Sequence, residues 1–383
     1  MSRLTAKLFD PGFVHRGPLP LDGGTVVLRN NDISTFIIDI NTAAPQWSQM
    51  RAQYGDMKSW HVQLFDTDND TEPLMAGIIT SDRDEMGDYP ATQWTGRCHL
   101  DYLDGMITLP NPARAADDQK DGSHYKANGP AAELIFNLVR THVAQGARPE
   151  FRTPLRVSST WAESPGSDVR IESRFKPLLE EVQQLAKSGG ITFGTEMDQN
   201  GTIRFRQYEP VDRSRYIRLS EDNDALGSWS MERARPEVTS VLVAGQGEGD
   251  ERTLKLVEGN TNDWGTRRLV FQDRRDTDEL DDLIEAGKET LADNAETASI
   301  DLDLIDTPDV KFNRDFFIGD IVTAQLASGV TIVDGVQEAE LTYSENGREG
   351  KLTIGPTGEE RTEDKLVALV KDLRKRLRAL ETR

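Results

Sequence analysis

Residues 316–356 read FFIGDIVTAQLASGVTIVDGVQEAELTYSENGREGKLTIGP, and this stretch decides the fold class. DIVTAQL, TIVDGVQ, EAELTYS and KLTIGP are short runs rich in β-branched residues, separated by turn residues. Glu345-Asn346-Gly347 marks a hairpin tip, because the tight turns that suit paired strands need positive φ, which Asn and Gly tolerate. SIDLDLI (299–305) precedes them as one more strand. GPTGEERTE (355–363) closes the region as a linker.

The same signals recur near the start. GTVVL (24–28), TFIIDI (35–40), WHVQLF (60–65) and LMAGIIT (74–80) are predicted strands, spaced by polar clusters such as DTDNDTEP (66–73). One or two short helices at most are expected there. Between the two β regions the period changes. After a polar loop over 111–129, Pro130 suits a first helical position, and Leu134, Ile135, Leu138, Val139 and Val143 share one face. A second helix is predicted from Ser173, with Phe175, Leu178, Leu179, Val182 and Leu185 as its stripe and Gly189 as its left-handed stop. ITFGTEM and TIRFRQY follow as strands joined at DQNG (198–201), a tight-hairpin signal. Residues 216–246 read as further strands, EVTSVLVAG most clearly. Asp276 and Glu279 have N-cap and N3 spacing and open a helix with Leu280, Leu283, Ile284 and Leu291 on one face.

A chain of 383 residues exceeds one ordinary core and points to two to four domains. With 66 acidic against 45 basic residues the net charge is −21. That argues against a general nucleic-acid binder, which needs cations to displace counterions, and suits a surface that DNA passes without adhering. The single cysteine, Cys98, rules out an internal disulfide framework and fits assembly in a reducing cytoplasm. The opening MSRLTAKLFDPG lacks the apolar core of a signal peptide, and no window approaches the roughly 20 apolar residues of a membrane helix. A soluble protein, not exported by the usual route, is expected.

Catalytic patterns are weak. Histidines 15, 61, 99, 124 and 142 show no zinc-ligand spacing with one another or with Cys98, and Cys98-His99 is expected to alternate across a strand. Asp66-Thr-Asp-Asn-Asp70 opens like a calcium loop, but Thr71 stands where the sharp turn needs glycine and Gly77 where the closing carboxylate belongs, so a solvated hairpin turn is the preferred reading. GQGEG (245–249) lacks the following Lys-Ser/Thr of a phosphate loop and reads as a flexible connection. No Gly-x-Ser-x-Gly elbow occurs, and Ser158-Ser159-Thr160 has no nearby His. Among 66 acidic residues no carboxylate pair can be singled out by position alone. No enzyme activity, cofactor or metal is expected.

The C-terminal segment KLVALVKDLRKRLRALETR (365–383) is different in kind. Counted from Glu363 it holds seven Lys or Arg against four Asp or Glu. Leu366, Val370, Leu373, Leu377 and Leu380 are spaced 4, 3, 4, 3, the 3.5-residue period of a left-handed coiled-coil seam. Val370 and Leu377 take a positions, the other three d positions, and Arg374 and Arg376 flank the seam. These five residues are the candidate oligomerisation site. An amphipathic helix docked on its own protein is the bland alternative. Membrane binding is disfavoured because no Trp or Phe lies on the apolar face.

The order of elements resembles the tail-hub, or baseplate-hub, proteins of long-tailed bacteriophages. Three stretches carry the resemblance: FKPLLEEVQQLAKSGGITFGTEMDQNGTIRFRQYEP (175–210), RPEVTSVLVAGQGEGDERTLKLVEG (235–259) with its glycine loop leading to Arg252, and 316–358, where Gly319-Asp320 launches a β-meander. They cover roughly the C-terminal half. The resemblance implies a homotrimer whose subunits each give two tube-type β-domains to a pseudo-sixfold ring, at the distal end of the tail. It implies as partners a hexameric distal-tail or tail-tube ring protein, a tape-measure protein and tail-fibre or spike proteins. DNA would only pass through, and no stable membrane association is implied. The virion tail tip is the implied location, after assembly in the host cytoplasm. A fused peptidase or lysozyme domain, which larger members of that family carry, is not expected here, which argues against wall-degrading activity.

The expected fold is therefore α+β, mostly β: two tube-type β-domains, an α/β insert and a C-terminal coiled-coil helix. The expected domains are 1–110, completed by 210–234; the insert, 111–209; the second β-domain, 235–356; and the linker and tail helix, 357–383. The expected function is a structural tail hub that connects tube to tip and closes or gates the channel. A tail-associated cell-wall hydrolase and a receptor-binding adhesin are the alternatives.

Overall fold

The computed structural model describes residues 3–356 except 56, 70–71, 86–90, 121, 159–163, 260–263, 276 and 278. In chain order the described elements begin with β1 Leu4–Phe9, β2 His15–Leu19, β3 Leu21–Arg29, β4 Thr35–Ile40, α1 Pro45–Tyr54, β5 His61–Asp66, β6 Met75–Glu85 and β7 Ala91–Cys98. Then come β8 Tyr125–Pro130, α2 Ala131–His142, β9 Arg156–Val157, β10 Asp168–Ser173, α3 Leu178–Gly189, β11 Thr192–Met197 and β12 Ile203–Tyr208. β13 Arg218–Ser220, β14 Leu226–Ala234, β15 Ser240–Ala244, β16 Leu254–Glu258, β17 Leu269–Asp273 and α4 Leu280–Asp293 follow. The last strands are β18 Thr297–Leu304, β19 Ile321–Gln325, β20 Thr331–Ser344 and β21 Gly347–Ile354. The chain is mostly β with few helices, as expected. It divides into a larger unit, up to Trp229 together with Leu302–Ile354, and a smaller one containing Ser230–Asp301.

The main sheet has the order β14-β18-β21-β20-β3-β4-β7-β6-β5-β1-β2 and is antiparallel from β21 to β2. β19 adds to the first half of β20, and β13 pairs with β19 in parallel. The alternation of β4 shows why these sequences make strands: Phe36, Ile38 and Ile40 are buried while Ile37 and Asp39 face outward. Gly96 in β7 leaves room for the Phe36 ring, since a Cβ there would lie 2.1 Å from it. TIVDGVQ and EAELTYS form one strand, β20, not two. The hairpin tip at Glu345-Asn346 pairs Ser344 with Gly347, whose φ is 116°. Pairing of β20 with β3 draws the end of the chain into the sheet of its beginning.

β5 and β21 lie far apart in this order, yet their side chains meet. Arg348 Nη1 sits 2.5 Å from Asp66 Oδ2, with 3 % and 1 % of the two side chains exposed. The sheet must therefore curl until β5 and β21 face each other. Tyr343 Oη donates to the same carboxylate at 2.8 Å, and Arg348 also pairs with Asp306 and reaches the Phe312 carbonyl at 3.4 Å. Burial opposes the Arg348 charge, but Asp306 and Asp66 more than offset it and hold the guanidinium protonated.

The insert is a small α/β layer. β8 pairs with β10, and β12 pairs with β11 and β9. Pro130 is the N-cap of α2, not its first turn, and the end of the predicted 111–129 loop is already strand β8. The apolar stripe is as read: Leu134, Ile135, Leu138 and Val139 are buried. Ser173 does not open α3. It ends β10 with its hydroxyl 2.6 Å from that of Thr108, and Phe175 is exposed at φ 54°. α3 starts at Leu178 behind Pro177; Gly190 is its left-handed cap, while Gly189 packs where a Cβ would meet Ala131 at 2.1 Å. The 198–201 turn is a three-residue loop with Gly201 at φ 80°, wider than a two-residue turn. Asn31, at φ 55° in the β3–β4 turn, ties the insert to the sheet. Its amide donates to Ile191 O and its carbonyl oxygen accepts from Phe193 N at 2.7 Å.

In the smaller unit β15 lies between antiparallel β16 and parallel β17. α4 covers one face of this sheet, burying Val241, Val243, Val257, Leu283 and Ala286. Asp276, the predicted N-cap, lies outside the described residues. Glu279 is the N-cap, not N3, which leaves Leu280 exposed at the first turn. Leu291 packs against the core as predicted.

Removing Arg348 leaves two acidic side chains short of their cation in a dry site. Arg348→Met is expected to destabilise the larger unit by roughly 3–5 kcal/mol in urea unfolding. Pairing it with Asp66→Asn should recover part of that loss. A shift below about 1 kcal/mol for Arg348→Met alone would show that the pair is not a closure device.

Candidate functional site

The calcium-like run at Asp66 is used by the protein itself. Asp66 is buried against Arg348, Asp68 receives Lys311 Nζ at 2.9 Å, and the Asn69 amide donates to Asn313 O at 2.6 Å. The solvated turn expected here is thus a packed one. It pins the loop around Asp306–Phe316 against the end of β5. Asp70 lies outside the described residues.

Histidines 61, 99 and 142 are buried. Cys98 ends β7 and His99 begins a short 3₁₀ turn, so the pair does not alternate across a strand; both are buried because the chain turns inward there. His61 Nδ1 lies 3.1 Å from His99 Nε2, inside a stack that runs from Phe13 to Tyr102. His99 Nδ1 is buried without a hydrogen-bond partner. Burial holds His61 down to about 4, against the pull of Asp10. Burial, with His61 adjacent, holds His99 down to about 3. Two neutral rings sharing one hydrogen bond make a packing unit. No group of three His, Cys, Asp or Glu among the described residues could hold a metal.

The GQGEG loop is closed by Arg252. Its guanidinium donates to the carbonyls of Gly245 at 2.9 Å and Ala244 at 3.1 Å and pairs with Asp273, so the flexible connection expected here is braced. Ser158 is described, but residues 159–163 that follow it are not.

The outer side of the large sheet has a regular chemistry. Register places Thr342, Thr25, Ile37, Thr95 and Ser81 in one row across β20, β3, β4, β7 and β6. Thr25 and Thr342 hydroxyls lie 3.2 Å apart, and those of Ser81 and Thr95 also bond. The arginines beside this row are neutralised: Arg29 pairs with Glu338 at 2.9 Å, and Arg97 with Asp101 at 2.5 Å and Asp104 at 2.7 Å. Short hydroxyls and paired cations make a surface to which a polyanion gains little by adhering.

Leu366, Val370, Leu373, Leu377 and Leu380 lie outside the described residues. Sequence reasoning missed the Arg348 cluster, whose members are up to 282 residues apart. No local pattern could have announced it.

The fold of this chain is similar to that of several solved phage tail proteins. A tail protein from Neisseria meningitidis MC58 matches over 93 % of this chain and 97 % of its own, at 14 % identity and a TM-score of 0.57. The 43 kDa tail protein of prophage MuSo2 from Shewanella oneidensis matches over 91 % and 98 %, at 12 % identity and 0.56. The prophage tail protein gp18 of Listeria monocytogenes EGD-e matches over 97 % and 99 %, at 10 % identity and 0.53. Residues 6–356 match the family described as Siphovirus ReqiPepy6 Gp37-like protein, and the chain belongs to that family. No curated protein sequence matches it.

The histidine pair fixes a pH dependence. Both rings are neutral when folded down to about 4 and about 3, whereas unfolded histidine protonates near 6.5. Between those values the unfolded chain binds more protons, so stability falls as pH falls, on the order of 3 kcal/mol per ring by pH 4. A His61→Asn/His99→Asn chain should show a flatter stability profile from pH 6.5 to 4 than the parent. Identical slopes would mean the rings are not buried neutral.

Proposed function

We propose that this protein is the tail hub of a siphophage: a homotrimer that joins the tail tube or distal-tail ring to the fibres or spike and closes or gates the DNA channel. The observation that carries the reading is the nearly end-to-end match of its fold to phage tail proteins within a siphovirus family. Each subunit gives two tube-type β regions, 1–110 with 210–234 and 235–356, so three copies meet a hexameric ring. β20 beside β3 makes these regions continuous in one subunit. The hydroxyl row and the charge of −21 favour passage of DNA over retention. Partners are then further copies of the chain, the ring protein, the tape-measure protein and the tip proteins, all within the virion.

In the assembled trimer the seam of Leu366, Val370, Leu373, Leu377 and Leu380 brings three tail helices together on the threefold axis. Fewer than three heptads are weak alone and act on subunits already held elsewhere. Light scattering on the full chain is expected to give a trimer mass, and on a chain ending at Thr362 a lower mass at the same concentration. Leu373→Asp/Leu377→Asp should behave like the truncation. A monomer in every case, even at high concentration, would overturn self-association as the basis of the hub.

A further inference from the structure

The smaller unit carries an apolar surface that is largely exposed among the described residues, with the Arg252 guanidinium 5.6 Å from the Phe271 ring at its edge. On the β15 sheet, the face opposite α4 presents Leu242, Leu254, Leu256, Leu269 and Phe271. Leu254, Leu256, Leu269 and Phe271 are 48–62 % exposed. Leu242 stands between Leu256 and Phe271 in register, so the patch is continuous across all three strands. Apolar side chains gathered on one face of a small sheet, with the opposite face already packed, mark a docking surface.

We propose that in the free subunit the leucine face of the chain's own C-terminal segment, residues 364–383, lies on this sheet face. Three observations select that occupant. First, the charges are complementary: Ser230–Asp301 holds 18 acidic against 9 basic residues, whereas the segment from Glu363 holds seven basic against four acidic. A second copy of the acidic unit would be repelled. Second, the described residues end in the same unit as this sheet. Gly355 is packed beside β18, where a Cβ would come within 2.4 Å of Ala298 O in the same unit. Residues 357–363 then reach up to about 23 Å when extended. Third, the sizes agree. A helix over 366–380 is about 22 Å long, and a five-residue, three-stranded face is about 17 Å by 10 Å.

The contact sequesters the seam proposed to join subunits, so the two states compete: parked on the sheet when the subunit is alone, released when subunits meet. This docking does not depend on the trimer reading, because it concerns the isolated subunit.

Tryptic cleavage after Arg361, Lys365 and Lys371 reads the tail directly. In the full chain, diluted until light scattering reports monomer, cleavage is expected to be at least tenfold slower than in a synthetic peptide of residues 359–383. That protection should be independent of concentration. Leu256→Ser/Leu269→Ser, at positions 48 % and 62 % exposed, should remove it while the urea midpoint stays put. Equal rates in chain and peptide would overturn the proposal, as would protection that vanishes on dilution together with the oligomer. Protection untouched by the face substitutions would overturn it too. If those substitutions lower the oligomer mass without changing tail cleavage, the face joins copies of the chain and the proposal fails while the hub reading stands.

Discussion

The larger unit depends on one buried ion pair. Asp66 ends β5 and Arg348 lies at the start of β21, with five strands between them in the strand order. Two charges removed from water cost several kcal/mol each unless they meet with good geometry and further hydrogen bonds. Tyr343, Asp306 and the Phe312 carbonyl supply those bonds. The arrangement is satisfied only when the sheet is fully curled. An open or slipped sheet would strand the carboxylate or the guanidinium in a dry interior. Removing one partner would leave an uncompensated charge in the buried site.

Much of the fold was legible from local pattern. β-Branched and aromatic runs between polar turn clusters found β3, β4, β5 and β6, and the helical stripes of α2 and α3 held residue by residue after their first turns. The errors cluster at element ends. Ser173 looked like a helix cap because capping residues and strand-ending residues are the same types, and its partner Thr108 lies far away in sequence. Gly189 and Gly190 were both eligible stops, and only the proximity of Ala131 separates them. Leu280 fitted the helical period but falls at a first turn where nothing packs. The centre of the molecule was not legible at all. Asp66 sat in a run that reads as a calcium loop or as solvent-facing polar turn, and a lone Arg348 in a strand carries no sign of a partner 282 residues earlier.

The chemistry of the surfaces points one way. Acidic residues exceed basic ones by 21, and the arginines that flank the hydroxyl row are tied to carboxylates. The histidines are consumed in packing. Such a molecule is suited to hold shape and meet neighbours. Four exposed apolar side chains, Leu254, Leu256, Leu269 and Phe271, gather on the smaller unit's sheet.

The pairing of β3 with β20 has a kinetic side. Val26 must wait for Leu341, more than 300 positions later in the chain, before its strand has both neighbours. A ribosome adds on the order of 5–20 residues per second, so the edge of β3 stands open for tens of seconds during synthesis. Open strand edges recruit other strands. Faster elongation shortens that exposure, and slower elongation lengthens it.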